Sequence, residues 1–308
     1  MCKVFIDGRE GTTGLQIESR LLAREDIELL TIESALRKDP EARRAMMAQA
    51  DLTFLCLPDA AAREAVTLAE GLSTKIIDAS TAHRVNPNWV YGFAELGCRE
   101  KIQKARLVAN PGCHASGFLS LAAPLVSLGI LPETYPVTAY SLTGYSGGGK
   151  KMIAQYEDPE KPLDLFAHRI YGLSLQHKHI PEMQKISGLK FPPAFSPIVD
   201  DYYKGMATVL TLHNDLLGGK PTPAEICKAL QNYYKEEPLI QVKMAEESLL
   251  SANTMAGKDG LEILVSGNEN QTMLTARFDN LGKGASGAAV QNMNLMLGLP
   301  ETRGLNLI

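Results

Sequence analysis

Apolar positions recur along the chain in two rhythms. Up to residue 112, short apolar runs at 3–6, 28–33, 51–57 and 75–79 alternate with helical stretches at 17–23, 40–49 and 60–70. Runs this short and this apolar read as strands buried on both faces. Their alternation with helices predicts a parallel sheet covered on both sides, a Rossmann-type α/β domain. From about residue 132 the rhythm changes. Segments 137–143, 207–213, 239–244, 261–266 and 271–278 alternate or are β-branched, which predicts a largely antiparallel sheet. Thr222, Pro223 and Glu225 open a helix over 222–236, and 144–150 reads as a flexible basic loop. A small-residue helix at 288–297 is expected to pack back on the first domain. The predicted organisation is a dinucleotide-binding Rossmann domain over 1–112, completed by a C-terminal helical segment 285–308, and an α+β catalytic and oligomerisation domain over 113–284.

The first strand runs into Gly8, Gly11, Thr12, Thr13 and Gly14, a GxxGxxG turn one residue wider in its first gap than the usual dinucleotide fingerprint. Glycines let the backbone approach a pyrophosphate, and the helix behind them supplies N–H donors and positive potential. At the end of the second strand two readings compete. Glu33 lies 19 residues after Gly14, the spacing at which an acid bonds the ribose of NAD. Ser34, Arg37 and Lys38 follow at once and suit a 2′-phosphate, which favours NADP. Ligands of parallel sheets sit beyond the carboxyl ends of the strands. That rule places the glycine turn, Pro58, Ser80, Arg84 and the turn Asn110-Pro111-Gly112-Cys113 on one rim.

Cys113 opens a buried helix expected over 114–129, directly after strong turn formers. A thiol at a helix N-terminus is shifted toward thiolate by the unpaired N–H groups and the dipole. The competing reading is a small apolar residue that packs a strand–helix corner. Composition narrows the chemistry. A net charge of -4 and a pI near 5.9 give no basic excess for nucleic acid, though a local basic pocket for an acidic small molecule is compatible with both. No apolar run approaches the ~20 residues of a membrane helix, and the N-terminus lacks a charged and apolar leader. Five cysteines without CxxC spacing argue against a disulfide framework and a zinc site, so a reducing cytoplasm is expected and no metal.

Four motifs carry a family resemblance: Gly8xxGly11xxGly14, Asn110-Pro-Gly-Cys113, His177-Lys-His179-Ile-Pro-Glu182, and the stretch from Asp279-Asn280 through Lys283 to Asn294. With them the chain resembles the N-acetyl-γ-glutamyl-phosphate reductase family in its shorter form, over essentially its full length, and more distantly aspartate-semialdehyde dehydrogenase. His114 stands where the family often has Tyr, and Ala82-His83 where Asp-Phe usually precedes Arg84. The resemblance implies NADP(H)-dependent reduction of N-acetylglutamyl 5-phosphate to the 5-semialdehyde and phosphate, in arginine biosynthesis, through a cysteine thioester. Cys113 would be the nucleophile and a histidine the acid/base, since imidazole titrates near neutrality. His179 is favoured because Glu182 follows closely enough to orient it, with His177 second; in an extended segment both rings would face the same way. Arg84, Asn110 and Lys283 are candidate substrate contacts, the guanidinium matching phosphate oxygens. Gly147 and Asn280 are expected near the nicotinamide. A homo-oligomer is expected. The rival readings are a reductase of aspartyl phosphate and a dinucleotide-binding regulatory protein without catalysis.

Overall fold

The computed structural model describes residues 1–307, which divide into two compact units. The first comprises Met1–Gly112 and Ala285–Leu305. Its strands are β1 (Cys2–Asp7), β2 (Ile27–Leu30), β3 (Leu52–Leu55), β4 (Lys75–Asp78), β5 (Val90–Tyr91) and β6 (Leu107–Ala109). Between them lie α1 (Thr12–Leu22), α2 (Pro40–Gln49), α3 (Asp59–Leu68) and α4 (Arg99–Lys104). Among the described residues the sheet order is β2-β1-β3-β4-β6-β5, parallel throughout. Alternation along β1 explains the double layer. Val4 and Ile6 enter one core with Ile17, Phe54 and Val108, while Phe5 enters the other with Met47, Leu55 and Ala65. The order in which successive strands are added reverses between β1 and β3, and the glycine turn follows β1 at that switch point.

The second unit runs from Cys113 to Gly284 and includes Asn306 and Leu307. Its elements are α5 (Cys113–Ser127), β7 (Thr138–Gly144), α6 (Gly149–Tyr156), β8 (Arg169–Ile170), α7 (Ile180–Ser187), β9 (Ala194–Asp200), β10 (Met206–His213), α8 (Pro223–Tyr233), β11 (Ile240–Met244), β12 (Leu261–Gly267) and β13 (Gln271–Phe278). The strands form one sheet, ordered β11-β12-β13-β10-β7-β9-β8 among the described residues. It is mixed: β11–β12 and β7–β9 pair parallel and the remaining neighbours antiparallel. Helix α5 lies close on this sheet because Gly117 has no side chain. A Cβ there would meet Thr208 Oγ1 at 2.2 Å and Phe278 Cε1 at 2.8 Å. Thr222 caps α8 and exchanges a capping box with Glu225.

Helix α9 (Gly287–Leu297) returns to the first unit, where Ala289, Val290 and Met293 join the core around Val4 and Ile17. Several expectations need correction. The helical segment over 285–308 is α9 alone. Asn306 groups with the second unit: its carbonyl accepts Asp259 N–H (2.7 Å) and its own N–H donates to the Asp259 carboxylate oxygen Oδ2 (2.8 Å). Helix α1 starts at Thr12, so Thr12, Thr13 and Gly14 are its first turn rather than a loop before it. The stretch 144–150 is no flexible loop but a 3₁₀ turn, Tyr145–Gly148, leading into α6. Strand β9 escapes the sequence pattern because Pro197 interrupts it; its carbonyl still accepts Tyr171 N–H at 3.0 Å.

Candidate functional site

In the first unit the glycine turn is built by steric necessity. Gly8 has φ +85°, and a Cβ there would lie 2.5 Å from Cys56 O. A Cβ on Gly14 would lie 2.7 Å from Arg9 Cα. The N-cap, Gly11, offers no side chain to the first N–H groups of α1. A bare helix N-terminus behind a cradle that only glycine permits fits a pyrophosphate. Beside it Phe5, Arg9, Glu18, Leu30, Thr31 and Ile32 line a cleft. Glu33, Ser34 and Arg37 lie in the exposed loop after β2, and Arg37 is drawn back to the glycine turn by an ion pair with Glu10. Pro58 is the N-cap of α3. Cys56 packs, and burial followed by the charges of Asp78 and Asp7 pushes its thiol up to about 12.

Asp78, fully buried at the end of β4, organises the next turn. Its carboxylate accepts Ser80 N–H (2.9 Å), Ser80 Oγ–H (2.8 Å) and His83 Nδ1–H (2.6 Å), and His83 stacks on Trp89 with centroids 4.2 Å apart. Ser80 thus serves the turn. Arg84 is buried and donates from Nε to Asn110 O (2.9 Å) and from Nη2 to Ala79 O (3.1 Å). Asn110 is equally engaged. Its Nδ2 donates to Ala285 O at 3.1 Å, so its Oδ1 faces Asn292, which must present Nδ2 there (3.1 Å) and to Gly92 O (2.9 Å). A Cβ on Gly92 would lie 2.4 Å from that Nδ2. The Asn-Pro-Gly turn is therefore clamped from Arg84 and from α9.

In the second unit Cys113 is the first residue of α5, half-buried, with no acidic residue in the first turn to oppose a thiolate. Gly284 passes it so closely that a Cβ would lie 2.9 Å from Cys113 Cβ. His114, one residue on, sits in a cluster with His177 and His179, ring centroids 5.3 and 5.7 Å away, and all three rings neighbour one another. The segment carrying His177 and His179 is a turn, not the extended strand that alternation assumes; their rings meet edge-on at 4.7 Å because His179 adopts helical backbone angles as the N-cap of α7. His177 Nδ1 accepts His179 N–H (3.2 Å), which leaves Nε2 as its proton-bearing nitrogen when neutral. His179 is buried, its Nε2 3.9 Å from Glu182 Oε1, an electrostatic approach longer than a hydrogen bond. Burial, then His177 and Lys178, push His114 down to about 3, so it is neutral in ordinary buffers.

Asp279 orders the approach of Gly284: its carboxylate accepts Leu281 N–H (2.8 Å) and Gly257 N–H (2.6 Å), with Lys204 Nζ at 3.5 Å, and its carbonyl accepts Gly284 N–H (3.0 Å). Lys283, in the π-turn Gly282–Ser286, is buried rather than on the surface. Asn280 spans two loops, accepting Gly205 N–H (2.9 Å) and donating to Ser146 Oγ (3.0 Å), while Gly147 beside it stays exposed. Of the sequence candidates, Cys113, His177 and His179 fall in the second unit with Lys283, Gly147 and Asn280; the glycine turn, Ser34, Arg37, Pro58, Ser80, Arg84 and Asn110 fall in the first. Sequence reasoning missed His114, Tyr171 and Asn292. His114 carried a signal, its departure from Tyr; Asn292 lies in a quoted motif; Tyr171 had none. The described residues contain no group of three or more His, Cys, Asp or Glu that could hold a metal, and no helix long and apolar enough to cross a membrane.

Comparison with known proteins follows the same division. Residues 31–105 match the family model "Semialdehyde dehydrogenase, NAD binding domain", and residues 113–280 match "Semialdehyde dehydrogenase, dimerisation domain". The N-acetyl-gamma-glutamyl-phosphate reductase of Brucella anthropi is 50% identical over 306 residues, covering 96% of this chain and 98% of the relative. That of Brucella ovis is also 50% identical, with 96% and 99% covered. Among solved structures, a probable aspartate-semialdehyde dehydrogenase from Pseudomonas aeruginosa superposes with a TM-score of 0.74 at 15% identity, covering 96% of this chain and 98% of that one. Aspartate semialdehyde dehydrogenase II from Vibrio cholerae gives 0.71 at 14% identity, covering 97% and 98%. At such identities the structures speak for the fold.

Proposed function

Because the chain belongs to the N-acetyl-gamma-glutamyl-phosphate reductase family, we propose that it reduces N-acetylglutamyl 5-phosphate to N-acetylglutamate 5-semialdehyde and phosphate, with NADPH as reductant and Cys113 as acyl acceptor. The observation that carries this reading is Cys113 at the first position of α5 with the histidine cluster beginning one residue later. The Cys113 thiolate attacks the acyl carbon, and backbone N–H groups of the first turn of α5 would hold the oxyanion. Its collapse breaks the C–O bond to phosphate and leaves a thioester on Cys113. When bound, the cofactor supplies a hydride to the thioester carbon. His179, with His177 beside it, would protonate the oxyanion so formed to give the thiohemiacetal on Cys113 and take that proton back as the C–S bond breaks, releasing aldehyde and restoring the thiolate.

The glycine turn and α1 would hold the cofactor pyrophosphate, and Ser34 with Arg37 its 2′-phosphate once Arg37 exchanges Glu10 for that group. Arg84 and Asn110, engaged with main chain and with Asn292, hold the turn before Cys113 in register, and Lys283 offers the substrate a cation. A homo-oligomer joined through the unit that matches the dimerisation domain belongs to the same proposal. The test runs the reaction backward: purified protein with phosphate, oxidised cofactor and either semialdehyde. NADP reduction should be faster with N-acetylglutamate semialdehyde, and faster turnover of aspartate semialdehyde would overturn the substrate assignment. Cys113→Ser should abolish turnover while NADPH still binds; retained activity would refute the thioester.

A further inference from the structure

We propose that Asn306 is a positioning residue for the reaction: it holds the segment 257–259 against the turn that carries Lys283, and so fixes how Gly284 lies on Cys113. The proposal rests on Cys113 being the acyl acceptor. Every link in it lies within the second unit.

The stretch 245–260, between β11 and β12, contains no helix or strand. A connection of that length keeps one course only where other elements take up its polar groups. Asn306 makes three bonds near its end. Nδ2 donates to Gly257 O (2.7 Å), the backbone N–H donates to Asp259 Oδ2 (2.8 Å), and the carbonyl accepts Asp259 N–H (2.7 Å). Gly257 passes the constraint on, since its own N–H donates to Asp279 Oδ2 at 2.6 Å. Asp259 and Asp279 are buried, whereas Asn306 is exposed. The fastening therefore sits outside the core, and a change at Asn306 leaves the core packed.

Two glycines carry the constraint to the thiol's own residue. A Cβ on Gly282 would lie 2.2 Å from Lys258 O and 3.1 Å from Asp259 Oδ1, so one end of the turn is seated on the segment that Asn306 holds. A Cβ on Gly284 would lie 2.9 Å from Cys113 Cβ, so the other end is seated on Cys113. Lys283 lies between them, buried. The Asp279 carbonyl accepts both Gly282 N–H (3.1 Å) and Gly284 N–H (3.0 Å), which makes the turn one closed piece. At Gly282 the turn meets main chain, with no long side chain to give way. A shift of 257–259 is therefore passed to Lys283 and Gly284 rather than absorbed. Misplacement of reacting groups by about 1 Å can cost ~10²-fold in rate.

The experiment compares the wild-type protein with Asn306→Ala, which loses the bond to Gly257 O, and with a deletion of 306–308, which loses all three. Turnover of the semialdehyde should fall about threefold in Asn306→Ala and about tenfold or more in the deletion, the scale of one and of several exposed hydrogen bonds. The dinucleotide Kd should not change, because the glycine turn belongs to the first unit. Alkylation by iodoacetamide at one pH, read peptide by peptide with mass spectrometry, should quicken at Cys113 by similar factors as Gly284 loosens from it. It should stay unchanged at Cys227, buried in α8 of the same unit. Wild-type turnover in the deletion, an unchanged rate at Cys113, or a joint rise at Cys113 and Cys227, which marks general loosening, would each overturn the proposal. If the wild-type protein failed to oxidise the semialdehyde, the acyl-acceptor reading would fall, while the alkylation rates would still decide whether Asn306 holds Gly284 on Cys113.

Discussion

Replacing Asn292 by Asp changes one heavy atom and almost no volume, so it separates the two donors of Asn292 from its packing. Nδ2 gives its protons to Gly92 O at 2.9 Å and Asn110 Oδ1 at 3.1 Å, in a side chain with no exposed surface. A carboxyl group can keep at most one of these bonds, and only when protonated. Each buried acceptor left unmade costs ~1–3 kcal/mol, which is the expected loss below the unfolded pKa; at about pH 5, if the new group stays protonated, the loss is already ~1.5 kcal/mol larger. Its folded pKa is raised above the unfolded value of ~3.9 by burial among acceptors. A group with a raised folded pKa is most favourable below its unfolded pKa and becomes less so as pH rises, at ~1.4 kcal/mol per unit, until the folded group ionises. From about pH 5 to about pH 7 the deficit against wild type should therefore widen by up to ~3 kcal/mol. Urea unfolding of both proteins at the two pH values reads this directly. A deficit that is absent, or equal at both, would show that Asn292 does not clamp Asn110 through those donors.

Gly8→Ala should weaken dinucleotide binding by about tenfold or more in a fluorescence titration, because φ +85° costs a side chain ~1–2 kcal/mol and its Cβ would strike Cys56 O. Thr222→Ala should lower stability by ~1 kcal/mol through loss of the capping box of α8, with turnover unchanged in the same preparation. Burial raises the Glu262 carboxyl, but hydrogen bonds from Lys243 and Arg277 outweigh it and hold the group below its ordinary range. That stability is present above the unfolded pKa and lost as pH falls through the folded one. Glu262→Gln should thus cost up to ~3 kcal/mol near neutrality, leaving buried Arg277 with the more exposed Glu247 as its carboxylate partner, and clearly less at about pH 3 in parallel melts.

Much of the architecture was legible in the chain itself. Two-sided apolar strands such as β3, wholly buried, can only be central strands of a covered sheet, and β13 was readable to the residue because its alternation and its flanking polar residues agree. The thiol at a helix start was legible for a similar reason: Asn-Pro-Gly is turn chemistry written locally, and the apolar run after it must be buried. Where local signals conflict, the reading failed. Pro197 argues against β9, yet there the sheet asks for its carbonyl and not for an N–H. Three consecutive glycines suggested mobility at 147–149, but Asn280, far along the chain, ties Ser146 down and the segment becomes helical.

What only the tertiary structure decided is which polar group spends itself on which. Arg84 and Asn110 read as candidate substrate contacts because guanidinium and amide groups suit phosphate; the fold adds that Arg84 donates to two main-chain carbonyls and that Asn110 meets Ala285 O and Asn292. Spacing likewise made His177 and His179 alternatives on one face; the turn at the start of α7 instead brings both rings into one cluster with His114, and places Tyr171 on that ring through a 2.6 Å bond. Hydrophobic periodicity is a property of neighbours in sequence, and so strands, helices and the nucleophile's position are written in it. Hydrogen-bond partners separated by tens to nearly two hundred residues are not, because a donor's partner depends on which distant strand or helix the core has packed against it, and burial then makes that choice decisive.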